Sequence, residues 1–289
     1  MQTINIELSF NSNRLDYSIF AIYQLLDTLE DGYCIDFYLI TNGIKDYSFM
    51  EKLKSLFPNK LNNYFTLDFE AYLKSSNLLL LQEDAHNTFW TNIVMARCYM
   101  WDMFPNLKRF IHIDDDVLIL KSISLLWNYN NSPLIATKTK RIWMAGKDII
   151  TKYNLEYWFN GGIWLMDLDW FRKHNIYQKL IAYQKEDKID TVVDERLMNL
   201  AYYNIYTSPN DNRFNFIPSK APTYAIGLSK EKPFYCDNTQ YCAKDDIVVV
   251  HWATGSNTGK PWVRLQQLFD PFAKLWQKRY DTFTILQNK

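Results

Sequence analysis

The stretch that decides the fold is FIHIDDDVLIL, residues 110–120, in which three consecutive acids stand between two apolar runs. The apolar runs are typical of buried strands, and carboxylates are seldom buried without a partner. Because alternate residues of an extended chain point the same way, Asp114 and Asp116 can both face one ion. The stretch therefore predicts metal-assisted chemistry at the end of a strand.

Around this stretch, short strand-like runs alternate with segments that carry apolar residues at helical spacing. The predicted strands are residues 4–10, 34–40, 64–68, 109–113, 134–137, 162–167 and 247–252. The predicted helices are residues 17–29, 47–56, 92–103 and 170–186. This alternation predicts an α/β fold with a mixed, mostly parallel central sheet and crossover helices.

The composition bounds the class of protein. A chain of 289 residues with 48% apolar residues can bury one large domain, or a domain with a small extension. Lys plus Arg equals Asp plus Glu at 32 each, which argues against nucleic acid as a partner. The 17% aromatic content suits a protein that binds sugars, although a coding bias toward Tyr, Phe and Asn would explain it equally well.

The first residues do not have the charge and hydropathy pattern of a secretory signal, and no window approaches the roughly 18 apolar residues of a membrane span. We therefore expect a cytoplasmic protein. The four cysteines lack Cys-x-x-Cys spacing, so we expect free thiols, with a Cys236–Cys242 pair as the alternative.

A third metal-ligand candidate is His251, which closes the last apolar strand. Two carboxylates and one imidazole suit Mn²⁺, whereas oxygen ligands alone favour Mg²⁺. The alternatives are a hydrogen-bonded core histidine and, for Asp114 and Asp116, a surface turn.

Two further segments place polar groups in apolar surroundings. The Phe159-Asn-Gly-Gly162 segment leads into a predicted strand, and its glycines would let a ligand approach the backbone, unless it is only a tight turn. Asp194 and Glu195 open a helical stretch, where acids can simply favour the helix N-terminus.

In this order, these segments resemble retaining glycosyltransferases of family 8. The resemblance spans most of the chain and also includes residues 6–13, a helix with Arg97, the segment 213–218 and the final loop 251–262. It implies a GT-A fold, a UDP-sugar donor with Mn²⁺ or possibly Mg²⁺, and transfer that keeps the α configuration.

The resemblance also implies a role for each matching residue. Asp114, Asp116 and His251 would hold the metal, with Glu195 and Asp194 as candidate catalytic residues. The positions that would contact the UDP-sugar are Asn11, Asn13, Arg97, Asp115, Asn160, Gly161, Gly255 and Lys260.

The chain departs from the family pattern at three points. A Glu, Glu195, stands where the family has Gln, and could act as a nucleophile or as an electrostatic support for the anomeric carbon. His251 and Lys260 lie nine positions apart instead of the shorter family spacing. Asn11 replaces the acid commonly found against uracil.

We expect a catalytic domain over residues 1–262 and an aromatic, basic helical extension over residues 263–289. The apolar stripe of this extension either packs on the domain or rests on anionic lipid at the inner face of the cytoplasmic membrane. The expected donor is UDP-galactose or UDP-glucose, and the expected acceptor is an oligosaccharide or glycolipid of a bacterial surface glycan.

Two other functions stay open. A metal-dependent nucleotidyltransferase also uses clustered acids, but it would require two metals and a third acid on a neighbouring strand. A nucleotide-sugar or glycan-binding protein without turnover is the other alternative.

Overall fold

The computed structural model describes residues 1–76, 92–139, 147–186, 193–208, 212–218, 244–253 and 259–287. Its strands are β1 (Gln2–Asn11), β2 (Tyr33–Asn42), β3 (Leu61–Asp68), β4 (Arg109–Ile113), β5 (Val117–Ile119), β6 (Leu134–Thr139), β7 (Trp158–Asp167), β8 (Tyr206–Thr207) and β9 (Val249–His251). Its α-helices before the C-terminal region are α1 (Leu15–Thr28), α2 (Ser48–Leu56), α3 (Phe69–Ser75), α4 (Met100–Met103), α5 (Ser124–Trp127), α6 (Lys147–Tyr153), α7 (Leu168–Lys173), α8 (Tyr177–Glu186) and α9 (Val193–Tyr202). Two C-terminal helices follow, Arg264–Phe269 and Pro271–Gln287.

Seven strands form the central sheet in the order β3-β2-β1-β4-β7-β6-β8. Strands β1 to β4 pair in parallel, and so do β6 and β8, whereas β7 runs antiparallel to both β4 and β6. The prediction of an α/β protein with a mixed, mostly parallel sheet is confirmed.

This topology gathers the predicted polar residues at one edge of the sheet. The parallel strands β1, β2 and β4 end there, which is where open α/β sheets bind ligands. Because β7 is antiparallel, its first residues come to the same edge, and Asp114 N donates to Gly162 O at 2.8 Å. A separate pair, β5 and β9, sets Val117 opposite His251 and so brings His251 beside Asp116.

The C-terminal helices pack on the α/β core. Phe272, Trp276 and Phe283 are buried, and Phe20 of α1 lies 5.2 Å edge-on from Trp276. Phe272, Trp276 and Phe283 are therefore covered by protein, whereas Leu268 is exposed. The two helices are separated at Asp270, whose Oδ1 accepts a hydrogen bond from Phe272 N at 2.9 Å. The division of the chain at residue 262 stays a prediction.

Three local predictions differ from the structure. The predicted helix 92–103 is a 3-10 helix, Asn92–Tyr99, followed by α4. The predicted helix 170–186 is broken between α7 and α8, where Asn175 adopts a φ of 52°. Phe159-Asn-Gly-Gly162 is not a turn, because it lies inside β7, with the Asn199 side chain bonded to both backbone groups of Phe159.

Among the helices in the described ranges, none has the length and hydropathy needed to cross a membrane. Cys34 and Cys98 are buried free thiols. Cys236, Cys242 and Gly255 lie outside the described residues.

Candidate active site

The three predicted metal ligands meet at the carboxyl edge of the sheet. His251 Nε2 lies 3.5 Å from Asp114 Oδ2 and 3.3 Å from Asp116 Oδ1. One ligand atom from each residue lies within 4.8 Å of the other two. Two carboxylate oxygens and one imidazole nitrogen, all turned to one point, fit a divalent first-row ion.

The orientation of His251 is fixed by a hydrogen bond at Nδ1, the ring nitrogen that does not face the two acids. Its Nδ1 lies 3.0 Å from Asn215 Oδ1, and Asn215 Nδ2 donates to Asn160 Oδ1 at 2.9 Å. Asn160 Oδ1 also accepts from Gly162 N at 3.1 Å. This chain of amides holds Nε2 toward the two acids, as the hydrogen-bond partners of metal-ligating histidines commonly do. This support of His251 by Asn160 and Asn215 was not predicted from the sequence.

Two nitrogen donors lie against one oxygen of Asp114. Arg97 Nη2 and His112 Nε2 each lie 3.1 Å from Asp114 Oδ1. Burial opposes ionisation, but Arg97 and the hydrogen bond from His112 hold the pKa of Asp114 well below its usual range. Asp114 is therefore a carboxylate at neutral pH.

Asp116 is held by Lys260 and His251. Lys260 Nζ contacts Asp116 Oδ2 and donates to Trp252 O at 3.2 Å. Against the effect of burial, the charges of Lys260 and His251 hold the pKa of Asp116 below its ordinary value. Reciprocally, burial lowers the pKa of His251, but the carboxylates of Asp116 and Asp114 prevail and raise it to about 9. Without a metal, the histidine is thus protonated at neutral pH.

Asp115 lies outside the cluster of Asp114, Asp116 and His251 and instead binds Arg14. Arg14 Nε donates to Asp115 Oδ2 at 2.9 Å, a second bond joins Arg14 Nη2 to Asp115 Oδ1, and Ser18 Oγ donates at 3.1 Å. The Arg14 guanidinium lies 4.4 Å from the ring centroid of Trp262, which stacks on Tyr17 at 4.0 Å. The middle acid of the triplet therefore ties the end of β4 to the loop that precedes the C-terminal helices.

Glu195 lies at the start of α9 and faces β7. Its Oε1 accepts from Trp158 Nε1 at 2.7 Å, and its Oε2 accepts from Asn160 Nδ2 at 3.1 Å and Gly161 N at 2.9 Å. Donors from three residues thus hold both oxygens of the Glu195 carboxylate in place. Trp158 is the donor that the sequence did not indicate.

Arg97 links the metal-ligand side of the site to α9. Its Nε lies 3.2 Å from Asp194 Oδ2, and its Nη1 donates to Gly161 O at 2.6 Å. Together with the Asp114 contact, these interactions commit the buried guanidinium to protein groups. Arg97 therefore joins Asp114 to the start of α9, and its predicted contact with the UDP-sugar stays a prediction.

The predicted nucleotide residues Asn11 and Asn13 lie at the end of β1 and in the 3-10 turn Ser12–Arg14. Asn42 pairs with Asn11 in the register of β1 and β2. The side-chain oxygens of Asn11 and Asn42 are buried without a hydrogen-bond partner in the described part of the chain. Such groups are costly unless a ligand or water satisfies them.

Known proteins resemble the chain over most of its length. The family model "Glycosyl transferase family 8" matches residues 5–266. "Probable galacturonosyltransferase-like 9" of Arabidopsis thaliana is 23% identical over 97% of this chain and 72% of its own length. General stress protein A of Bacillus subtilis is 24% identical over 54% of each chain.

Solved structures share the fold. The galactosyltransferase LgtC, solved in complex with donor and acceptor sugar analogs, superposes with a TM-score of 0.69 at 18% identity, over 97% of this chain and 96% of LgtC. An active-site mutant of LgtC in which Gln is replaced by Glu superposes with a TM-score of 0.68 at 19% identity, over 97% of this chain and 96% of that one. The fold is that of the GT-A enzymes, and the chain belongs to glycosyl transferase family 8.

Proposed function

We propose that this glycosyltransferase moves an α-linked hexose from a UDP-sugar to a saccharide acceptor, with retention of configuration and with Mn²⁺ as the preferred ion and Mg²⁺ as the alternative. The observation that carries the proposal is the convergence of Asp114, Asp116 and His251 at the ligand-binding edge of a family 8 fold. When bound there, the ion would neutralise the negative charge that grows on the departing diphosphate.

The cation next to the metal ligands has a second role in this proposal. Lys260 Nζ lies against Asp116 and Trp252 O, so a short movement of its flexible side chain reaches a diphosphate held beside Asp116. Its charge would then stabilise the same leaving group. Lys260 thus changes from a partner of Asp116 to a partner of the donor. Gly255 remains a predicted backbone contact to the diphosphate.

The nucleoside would lie beyond the ends of β1 and β2. Two buried amide oxygens, on Asn11 and Asn42, need donors there, and a nucleobase presents N–H groups on its edge. Asn13 stands in the following turn, where it can contact the base or the ribose. These groups support a pyrimidine nucleotide such as UDP at this edge.

The transferred sugar would lie between β7 and the start of α9. Asn160 and Gly161 border this position and donate hydrogen bonds to Glu195. Asp194 also borders it and forms an ion pair with Arg97. Because donors from three residues already hold the Glu195 carboxylate, we assign it the role of a fixed negative charge beneath the anomeric carbon. A nucleophilic Glu195 is the competing assignment.

The donor and acceptor are proposed as classes. UDP-galactose and UDP-glucose are the first donors to test, and UDP-galacturonic acid belongs in the panel because several relatives are named galacturonosyltransferase-like. The proposed acceptor is an oligosaccharide or glycolipid of a bacterial surface glycan, glycosylated in the cytoplasm.

Peripheral contact with the inner face of the membrane is a further part of the proposal, although Phe272 and Trp276 of the C-terminal helices are buried. Leu268, Ile285 and Leu286 remain exposed for such a contact. Flotation with anionic vesicles tests it: the wild type should float with the vesicles, and the triple Ser variant of these positions should not. If the wild type stays at the bottom, membrane contact is excluded under those conditions.

Release of UDP from a panel of UDP-sugars with Mn²⁺, measured without acceptor and beside Asp116→Ala, tests the proposed function. We expect slow hydrolysis of one donor by the wild type and none by the variant. Failure of the wild type to bind UDP would contradict the assignment. Binding of UDP and Mn²⁺ without release from any donor, even after a panel of saccharide acceptors is added, would favour the non-catalytic alternative.

A further inference from the structure

Glu7 is a buried acid that the proposed mechanism does not use. Glu7 stands in the middle of β1, is 0% exposed, and pairs in register with His112 of β4, which is also 0% exposed. A carboxylate at such a position loses its hydration, which costs several kcal/mol unless partners replace the water. The partners of Glu7 therefore indicate why an acid stands there.

Those partners form a chain of contacts that ends at a proposed metal ligand. Ser9 Oγ donates to Glu7 Oε1, and Glu7 Oε2 lies 2.5 Å from His112 Nδ1. His112 Nε2 lies 3.1 Å from Asp114 Oδ1. The imidazole also packs on Trp164, with ring centroids 5.2 Å apart, so it has little freedom to turn. Both ring nitrogens of His112 therefore lie against carboxylate oxygens, so the ring is held at both ends.

The two oxygens of Asp114 are consequently unequal. Oδ1 receives His112 Nε2 and Arg97 Nη2, each at 3.1 Å. Oδ2 is turned to His251 Nε2 at 3.5 Å. A carboxylate whose one oxygen is saturated by two donors has only the other oxygen available for a metal, in a fixed direction.

We propose that Glu7 and His112 are positioning residues for the metal site: Glu7 orients His112, and His112 holds Asp114 so that Oδ2 alone binds the ion. The proposal rests on the metal-dependent function proposed above. Partners of this kind, behind the ligands themselves, typically change metal affinity by about 10- to 100-fold.

A purely structural role for the pair makes a different prediction. Breaking a buried ion pair by removing one member leaves an unpaired charge and destabilises a protein, whereas replacing both members by apolar residues of similar size is often neutral. The double variant Glu7→Met/His112→Phe removes both polar side chains and keeps a ring against Trp164. A structural role predicts that this variant, once folded, binds metal like the wild type.

The test is a titration of Mn²⁺ followed by the electron paramagnetic resonance signal of the free ion, without any sugar donor. We expect the double variant to fold, as judged by its circular dichroism and melting temperature, and to bind Mn²⁺ about 10- to 100-fold more weakly. In donor turnover, the Mn²⁺ concentration for half-maximal rate should rise by the same factor, while the rate at saturating Mn²⁺ changes little. Ser124→Ala, which removes a buried hydroxyl remote from the site, is the control for general loss of stability and should bind Mn²⁺ normally.

Glu7→Gln gives a second measurement should the double variant not fold. The Gln side chain can accept from His112 and donate to Ser9, but a neutral amide holds the imidazole less firmly than a carboxylate does. We expect an affinity between those of the wild type and the double variant. Wild-type affinity in any folded variant of this pair that lacks the Glu7 charge overturns the proposal. If the wild type itself binds no Mn²⁺, the metal-dependent function fails, and this proposal fails with it. If the wild type and the folded variant bind Mn²⁺ equally well, only the positioning role is overturned.

Discussion

Gly162 and His251 occupy neighbouring space only because position 162 has no side chain. A Cβ at Gly162 would lie 2.0 Å from His251 Cε1, closer than any real contact. Gly162 belongs to β7 of the central sheet, and His251 ends β9 of the separate two-stranded sheet. The glycine therefore lets the third metal-ligand candidate reach the acids at the end of β4.

Gly162→Ala should displace the His251 ring and weaken Mn²⁺ binding by about tenfold or more, because one of three ligands leaves its position. Gly161→Ala is the matched control: its Cβ would meet Glu195 at 3.4 Å, an ordinary contact, and would not reach His251. Calorimetric titration of both variants with Mn²⁺ checks this. Equal affinities would show that His251 is not a ligand.

Mn²⁺ affinity should increase with pH. The pKa of His251 in the metal-free protein is about 9, because the attraction of Asp116 and Asp114 outweighs burial, so Mn²⁺ must displace a proton from the ring at pH 7.5. Affinity should rise by at most about tenfold per pH unit until pH 9, with release of close to one proton, as measured by calorimetry in two buffers. In the metal-free protein, the ion pair of protonated His251 with Asp116 and Asp114 stabilises the fold. This stabilisation is complete below the pKa that His251 has in the unfolded chain, and it is lost as pH rises through 9. A pH-independent affinity between pH 6.5 and 8.5 would contradict this prediction.

Lys260→Met should separate the binding of metal from the binding of nucleotide. Without nucleotide, the variant should bind Mn²⁺ more tightly than the wild type, because the ammonium no longer competes for Asp116. Its affinity for UDP should fall by about 10- to 100-fold, since a charged hydrogen bond to the diphosphate is lost. The exposed Lys274→Met is the control. A parallel loss of both affinities would exclude a competition between Lys260 and the ion.

Glu195→Gln should reduce kcat by about 100-fold if Glu195 acts as a fixed charge, a loss comparable to that of one stabilising group in other enzymes. Glu195→Ala should then show no recovery with azide, and mass spectrometry should find no glycosylated protein. Recovery with azide, together with release of a glycosyl azide, would instead identify Glu195 as the nucleophile.

Trp276→Ala should destabilise the protein by about 3–5 kcal/mol, because it empties a buried site between α1 and the C-terminal helix. Trp276→Phe should cost far less, since the indole N–H has no hydrogen-bond partner among the described residues. Ile285→Ala, at an exposed position of the same helix, should change stability by less than about 0.5 kcal/mol. Urea unfolding measures all three; a small effect of Trp276→Ala would show that the extension is dispensable for folding.

The candidate metal ligands could be predicted because each borders an apolar run: Asp114 follows β4, Asp116 precedes β5 and His251 ends β9. Their convergence does not follow from the carboxyl ends of parallel strands alone, because His251 lies in the separate two-stranded sheet. The positions of the main strands followed from the same apolar runs, but β7 begins at Trp158 instead of residue 162, and the break at Asn175 was missed because helical spacing continues across it.

The supporting partners could not be predicted in the same way, because they depend on pairing between distant segments. Glu7 and His112 are 105 positions apart, and Arg14 and Asp115 are 101 apart. Glu7 did give a signal, as the one acid of β1, between the apolar Ile6 and Leu8, but its partner became evident only from the register of β1 and β4.

The central claim is that Asp114, Asp116 and His251 together hold the ion that binds the donor diphosphate. The most direct measurement is anomalous diffraction at the manganese edge from crystals grown with UDP and Mn²⁺. We predict one strong peak in contact with all three side chains and with the diphosphate. A nucleotide bound at this edge without such a peak, or a peak that any of the three residues does not contact, would contradict it.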